Sequence, residues 1–336
     1  MFPTVVGPIH TYGLMLLIGF YAGWLLSLWR ARKEGVEGRH ITDLLVYTVI
    51  SAIFGARLLY VIQYWSHFGS FWDFFKVWEG GLVFYGGMVT GTITVTAVIV
   101  RRKLSIRKLA DILGPSVALG LVFGRIGCFG FGCCYGDVTH TFPLRVQFPG
   151  KFVSAIDTRE NKPVLKPEGS PAFLDQVERK LIEPPARAGA AKSLPVYPTQ
   201  LMESFNALLI CLIGSFFFRC RKRYGEVFFL VGILYCAQRF VLEILRDDNP
   251  SIFVLQVPAF LCRLYAKIMV VDARPLTLEP TISQALSIVF GIICLVLFVQ
   301  SRRLPPNVTA LAPASGMPAA KMPPAKPRKG TTSAGG

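Results

Sequence analysis

The side chains best placed for chemistry are the ionisable ones that interrupt long apolar stretches: Arg57, Arg125, Glu203, Arg239, Glu243 and Arg246. A charge inside a bilayer costs about 3 kcal/mol or more, so such residues are functional candidates by default. Arg125 lies between Gly124 and Gly127, where a ligand's phosphate can approach the backbone. Arg239, Glu243 and Arg246 follow an i, i+4, i+7 spacing that puts them on one helix face. Two readings fit that spacing. One is a salt-bridge ladder that satisfies buried charge. The other turns Arg239 to a central cavity with Glu243 orienting it. Arg57 has a similar pair of readings: it meets a ligand, or it pairs with Asp73, Glu79 or Glu203 and holds helices together.

Tyr12 and Tyr85 stand near the ends of apolar stretches, as belt residues do, or they point inward as polar handles. The pairs Gly80-Gly81 and Gly86-Gly87 bracket Tyr85, which suggests a non-helical entry that aims it inward; membrane glycines otherwise serve close helix packing. The run from Gly127 to Gly136 reads as an irregular loop and holds Cys128, Cys133 and Cys134. No histidine beyond His140 completes a ligand set, so no metal is expected there. Cys128 pairs with one of its neighbours, or the three remain packed thiols. The other cysteines lie in or beside apolar runs and read as small hydrophobes.

These residues must be positioned by membrane-spanning elements. Of 336 residues, 52% are hydrophobic and only 17% charged, against roughly 25% charged in soluble domains. That excludes general disorder, coiled coils and a disulfide-rich secreted domain. Seven windows are long and apolar enough to span: 9–29, 44–64, 82–100, 112–131, 201–218, 227–245 and 282–299. The fold class expected is an all-α polytopic membrane protein. The opening stretch lacks the marks of a cleaved signal peptide and reads as the first span. Residues 1–132 carry spans one to four, 133–198 form an external loop or cap, and 199–303 carry spans five to seven. An interfacial or re-entrant segment is expected near 251–271, and the Pro- and Ala-rich residues 304–336 read as a disordered tail.

The charge balance fixes the direction. Lys and Arg number 36 against 20 Asp and Glu, a net +16. The surplus clusters after spans one, three, five and seven: Arg30 to Arg39, Arg101 to Lys108, Arg219 to Arg223, and Arg302-Arg303. These alternate connections belong in the cytoplasm, so the N-terminus is outside, the C-terminus inside, and no nucleic-acid partner is implied. With that direction, Tyr12, Arg57, Tyr85, Arg125, Glu203, Arg239 and Glu243 share one depth, in the outer leaflet. Few polar residues continue through the inner half, which argues against a transporter path, and no internal repeat marks inverted halves.

Several segments together resemble bacterial prolipoprotein diacylglyceryl transferases. They are His10-Thr11-Tyr12-Gly13, Gly55-Ala56-Arg57, Trp78-Glu79-Gly80-Gly81 through Tyr85-Gly86-Gly87, Gly124-Arg125-Ile126-Gly127, Tyr197-Pro198-Thr199-Gln200 through Glu203, Arg239 through Arg246, and Gln284-Ala285-Leu286-Ser287. They fall in order over about 8–300. The chain departs from the family pattern where Cys128 and Phe131 replace Asn, Cys133 replaces Glu and Tyr85 replaces His.

The resemblance implies transfer of a diacylglyceryl group from phosphatidylglycerol to the lipobox cysteine thiol of a prolipoprotein, the first step of lipoprotein maturation. It implies a monomeric inner-membrane enzyme with its active site toward the periplasm. Its partners are membrane lipids and the lipobox segment, with no metal or organic cofactor. The residues expected to act are Arg125 and Arg239 on the phosphate, Glu243 orienting Arg239, and Glu203 or Tyr85 helping the thiol lose its proton. Tyr12 positions the headgroup, Arg57 is a lesser or structural contact, and Arg246, Gly86 and Gly87 line the substrate. The departures keep two alternatives open: a divergent relative acting on another outer-leaflet lipid, and an anion or lipid transporter without transferase activity.

Overall fold

The computed structural model describes residues 4–6, 9–65, 74, 81–156, 163–185, 187–246, 255–256, 277–278, 281–303 and 305–306. Each of the seven apolar windows coincides with a helix: α1 (Thr11–Lys33), α2 (Gly38–Gln63), α3 (Phe84–Arg101), α4 (Ile106–Phe131), α6 (Thr199–Cys220), α7 (Glu226–Glu243) and α8 (Ile282–Arg303). Five of them, α1, α2, α4, α6 and α8, are long and apolar enough to cross a membrane. The remaining helix, α5 (Pro171–Glu178), lies in the connection between α4 and α6. The expected segment near 251–271 falls almost wholly outside the described residues. Within it only β6 (Leu255–Gln256) is described, paired antiparallel with β7 (Thr277–Leu278). Asp73, Glu79 and nearly all of the 304–336 tail also lie outside them. At the N-terminus β1 (Thr4–Val6) and β2 (Ile9–His10) form a short ribbon before α1.

On α8 burial is inverted relative to a water-soluble bundle. Its buried residues are Gln284, Ser287 and Ser301, while Ile282, Leu286, Val289, Ile293 and Val296 face outward. Polar side chains of this helix make its contacts and the apolar ones face the surroundings, as expected when lipid is the solvent.

Helix α4 is the central element. It packs on α1, α6 and α7, while α2 and α3 pack chiefly on each other. Small residues set the close approaches. A Cβ at Gly86 would collide with the Gly55 carbonyl, and one at Gly87 would lie 2.9 Å from the Ala52 carbonyl. Both glycines therefore sit on the α2–α3 seam, where close helix packing accounts for them. A Cβ at Gly127 would come within 3.1 Å of the Tyr12 ring, and one at Gly130 within 2.7 Å of Thr11. This contact also explains why α4 stays helical to Phe131 through a stretch whose glycines read as loop. Each glycine costs about 1 kcal/mol of helix propensity, and close packing on α1 offsets it. Gly132, at φ 84°, then ends the helix.

Residues 133–198 form a small cap with β structure. Strands β3 (Pro149–Ile156), β4 (Pro163–Gly169) and β5 (Gly189–Lys192) make an antiparallel sheet in the order β4-β3-β5. Tyr135, Phe148, Ala172 and Val196 form its core with Phe129 from the last turn of α4, so cap and bundle share apolar surface.

The end of α4 away from the cap is locked by buried charge. Asp111 accepts the backbone N–H groups of Gly225 (2.8 Å) and Phe228 (2.9 Å), capping α7 from a neighbouring helix. Arg221 reaches Asp111 at 3.3 Å and Glu34 at 2.7 Å, and both Arg221 and Asp111 side chains are fully buried. Breaking such a network leaves an uncompensated charge, at a cost of about 3–5 kcal/mol. Asp111→Ala should therefore lower the thermal unfolding midpoint of the detergent-solubilised protein well below that of Asp111→Asn, which retains an acceptor for one N–H. Equal midpoints for the two variants and the parent chain would contradict this account.

Candidate active site

At the cap end of α4 the functional candidates converge. Glu203, in the second turn of α6 and 4% exposed, is the hub. One carboxylate oxygen contacts Arg125 Nε of α4 at 2.5 Å. The other contacts Arg239 Nη1 of α7 at 2.8 Å and Arg246 Nη1 at 3.7 Å. Arg239 also forms an ion pair with Glu243 at 2.8 Å and donates to the Ser283 hydroxyl at 3.3 Å. Glu243 is held in turn by the Thr281 hydroxyl at 2.9 Å, and Gln284 reaches the Phe240 carbonyl at 3.3 Å. Helices α4, α6, α7 and α8 thus meet through one polar layer.

The i, i+4 half of the Arg239–Glu243 spacing holds. Arg246 does not continue it on the helix. α7 ends at Glu243, and Arg246 lies beyond the turn, bridged to Gly136 at the start of the cap. It reaches Glu203 because the chain turns back over the bundle, not because of helical periodicity.

Arg125 and Arg239 line a small cleft with Glu203, Leu121, Ala207, Tyr235 and Gln238. A Cβ at Gly124 would meet nothing within 4 Å, so the backbone beside Arg125 is open. Arg125, Arg239 and Arg246 carry three positive charges against two negative ones on Glu203 and Glu243. The five side chains together are net positive by one, held away from bulk water. An anion satisfies that excess, and planar guanidinium donors suit phosphate oxygens.

The remaining candidates are more dispersed. Tyr12, at the start of α1, packs on Gly127, half a turn from Arg125. Tyr85 sits at the start of α3, 56% exposed, and is not among the cleft-lining residues. Arg57 is buried and donates to the Phe74 carbonyl (3.0 Å) and the Gly81 carbonyl (3.2 Å), with its guanidinium 5.5 Å from the Tyr60 ring. It organises the connection between α2 and α3. Two polar cleft residues, Tyr235 and Gln238, escaped the site assignment made from the sequence. Tyr235 lies one turn before Arg239 on α7, so an i, i−4 search from that arginine would have found it. Gln238 is its sequence neighbour. Ser283 and Thr281 could not be found that way, because they join from a different helix.

A second cluster lies beside the first. The Sγ atoms of Cys128, Cys133 and Cys134 are all within 4.8 Å of one another, the one grouping among the described residues with the spacing of metal ligands. Hydrogen bonds from Cys128 and Cys133 pull the Cys134 thiol below its usual range, helped by the charges of Arg246 and Arg125. Hydrogen bonds with Cys128 and Cys134, with burial, push the Cys133 thiol up.

Comparison with known proteins agrees with the arrangement. Residues 2–300 match the family model described as prolipoprotein diacylglyceryl transferase. The phosphatidylglycerol–prolipoprotein diacylglyceryl transferase of Wigglesworthia glossinidia brevipalpis is 29% identical, over 79% of this chain and 92% of its own length. The protein of the same name from Xylella fastidiosa (strain M12) is 32% identical, over 74% and 82%. That of Clostridium tetani (strain Massachusetts / E88) is 29% identical, over 71% and 82%. With the family model spanning nearly the whole helical bundle and the paired arginines in its centre, the chain belongs to the prolipoprotein diacylglyceryl transferase family.

Proposed function

We propose that this chain transfers the diacylglyceryl group of phosphatidylglycerol to the lipobox cysteine thiol of a prolipoprotein. The observation that carries the reading is the pair Arg125 and Arg239, set side by side on one carboxylate at the mouth of a cleft. The thiol sulfur attacks the glyceryl carbon that bears the phosphate. The carbon–sulfur bond forms as the carbon–oxygen bond breaks, glycerol phosphate leaves, and the thiol proton is lost. Charge grows on the leaving phosphate, and two preorganised guanidinium groups stabilise it at that point. Their field also favours thiolate over thiol.

Glu203 is a positioning residue in this scheme. Both its oxygens are engaged by arginines, so its lone pairs are committed to holding the clamp. Glu243 orients Arg239, Tyr12 contacts the headgroup, and Arg57 is structural. The thiol proton passes to an oxygen of the departing glycerol phosphate, and the Tyr85 hydroxyl is the remaining candidate to donate a hydrogen bond to the thiolate. Seven spans with the N-terminus outside place the cleft toward the periplasmic leaflet of the inner membrane, in a monomer that lipid reaches laterally. The basic clusters at alternate connections support that direction. The transporter reading is the weaker one. Between the polar layer at Arg125 and the buried network at Asp111, Ala118, Ile210 and Cys211 form an apolar cluster with Leu26, Leu119, Val231 and Leu234 packed against them. The polar groups at that level bond one another: buried Arg30 donates to the Ser116 and Ser215 hydroxyls.

Complementation of a strain depleted of its own transferase tests the assignment, read by mass spectrometry of a reporter lipoprotein. Arg125→Ala and Arg239→Ala should each lower modification by about 100-fold or more, the usual cost of a lost transition-state donor, with the protein still inserted in the membrane. Full modification by both variants contradicts the clamp. In the same assay Glu203→Gln should weaken modification less than either arginine variant, because an amide still accepts from a guanidinium. Tyr85→Phe should slow transfer; an unchanged rate removes its hydroxyl from the chemistry.

A further inference from the structure

The chain departs from its family pattern at Cys128, Phe131 and Cys133, and the transfer scheme proposed above gives the thiols of that corner no step. Cys128 lies in the last turn of α4, and Cys133 and Cys134 follow the helix-ending Gly132. Gly132 N donates to Cys128 O at 2.8 Å and Cys133 N to the same oxygen at 3.2 Å, folding the chain back over its own helix end. That turn brings residues five and six positions apart together, so that three thiols share one small volume.

Two further elements fix the arrangement. At the start of α6, Gln200 donates to the Cys133 carbonyl at 2.7 Å and Thr199 to the Cys134 carbonyl at 2.9 Å. Gln200 and Thr199 are both fully buried. Cys134 itself holds φ 58°, a left-handed conformation that disfavours a residue with a Cβ and persists only where the surroundings impose it. The backbone behind the thiols is therefore set before any ligand arrives.

The chemistry of the corner suits a soft cation. The three groups offer sulfur only, and among the described residues no fourth His, Cys, Asp or Glu joins them. A thiolate–metal distance of about 2.3 Å corresponds to sulfur separations of about 3.8–4.0 Å, so only a slight contraction closes the site. The thiols lie at the C-terminal, negative end of the α4 dipole, which favours a cation. Arg125 and Arg246 stand near enough to offset the charge that several thiolates would build up. Cys128 is buried while Cys133 and Cys134 are half-exposed, which gives an ion a way in.

We propose that Cys128, Cys133 and Cys134 form a three-thiolate site for a soft d10 cation, Cu+ bound trigonally or Zn2+ with water as the fourth ligand. This departs from the expectation, drawn from the lack of a nearby histidine, that the corner holds no metal. Sulfur-only sites select such ions over Mg2+ or Ca2+.

Full-length protein reduced in lipid nanodiscs provides the test, titrated without oxygen with Zn2+ or Cu+ against a chromophoric chelator and, separately, with Co2+. One ion per chain is expected, with thiolate-to-Co2+ charge-transfer bands in the visible and near-ultraviolet. Replacing Cys128, Cys133 and Cys134 together by Ser should weaken binding by at least about 100-fold, whereas Cys211→Ser, in the remote α4–α6 contact, should not. No binding of any of the three ions to the reduced parent protein overturns the proposal, as does binding that survives in the triple variant. The Co2+ spectrum of the parent protein decides the matter even if the triple variant fails to insert. Recovery of Cys128 in a disulfide, with no ion taken up after reduction, overturns it in favour of a covalent pair.

Discussion

A single carboxylate organises this membrane protein's chemistry. Glu203 is shared by guanidinium groups from α4, from α7 and from the segment that returns over the bundle to meet the cap. Three cations gathered in a low dielectric repel one another strongly. Glu203 and Glu243 make the gathering tolerable but do not neutralise it. The balance is a compromise between stability and function: full neutralisation would remove the reason for an anion to enter, and fewer carboxylates would drive the helices apart.

Everything else brings those groups within reach. Glycines 127 and 130 let α4 lie close on α1, which places Tyr12 beside the Arg125 turn. Pro198 and Thr199 begin α6 at the cap boundary, so that Glu203 falls in its second turn. Thr281 and Gln284 dock α8 against the end of α7 and support Glu243 from behind. The cap ties down the irregular segments through the Gly136–Arg246 bridge and a shared aromatic core. Arg57 performs the equivalent task for the α2–α3 connection through backbone carbonyls.

The helices were legible in the sequence because a bilayer demands long apolar stretches and leaves each boundary marked by charge. Arg125, Glu203, Arg239 and Glu243 were legible for the same reason, since charge in an apolar run has few explanations. Pairing was not. Nothing in the linear spacing says that Glu203 rather than Glu243 would take Arg125. The Arg246 spacing misled, because periodicity assumes a helix that in fact stops at Glu243. At Gly86 and Gly87 the sequence could not show the close α2–α3 packing, because a glycine that admits a ligand and one that admits a neighbouring helix look alike in one dimension. The β structure of the cap left little trace in a polar, Pro-containing segment whose strands are short.

The two ends of the bundle are fastened unequally. Away from the cap, Arg221 and Asp111 have no contact with solvent, and their links run through backbone N–H groups as well as side chains. At the cap end, the Arg125 and Arg239 side chains retain 21% and 15% exposure. The two fastenings lie about 21 Å apart along α4, fourteen residues of helix rise. The difference sets how each end can respond to an incoming anion. At the dry end an ion pair has no water to replace its partner, so exchange there costs the full burial of a charge. At the cap end the guanidinium groups keep contact with solvent and can share themselves between Glu203 and another anion.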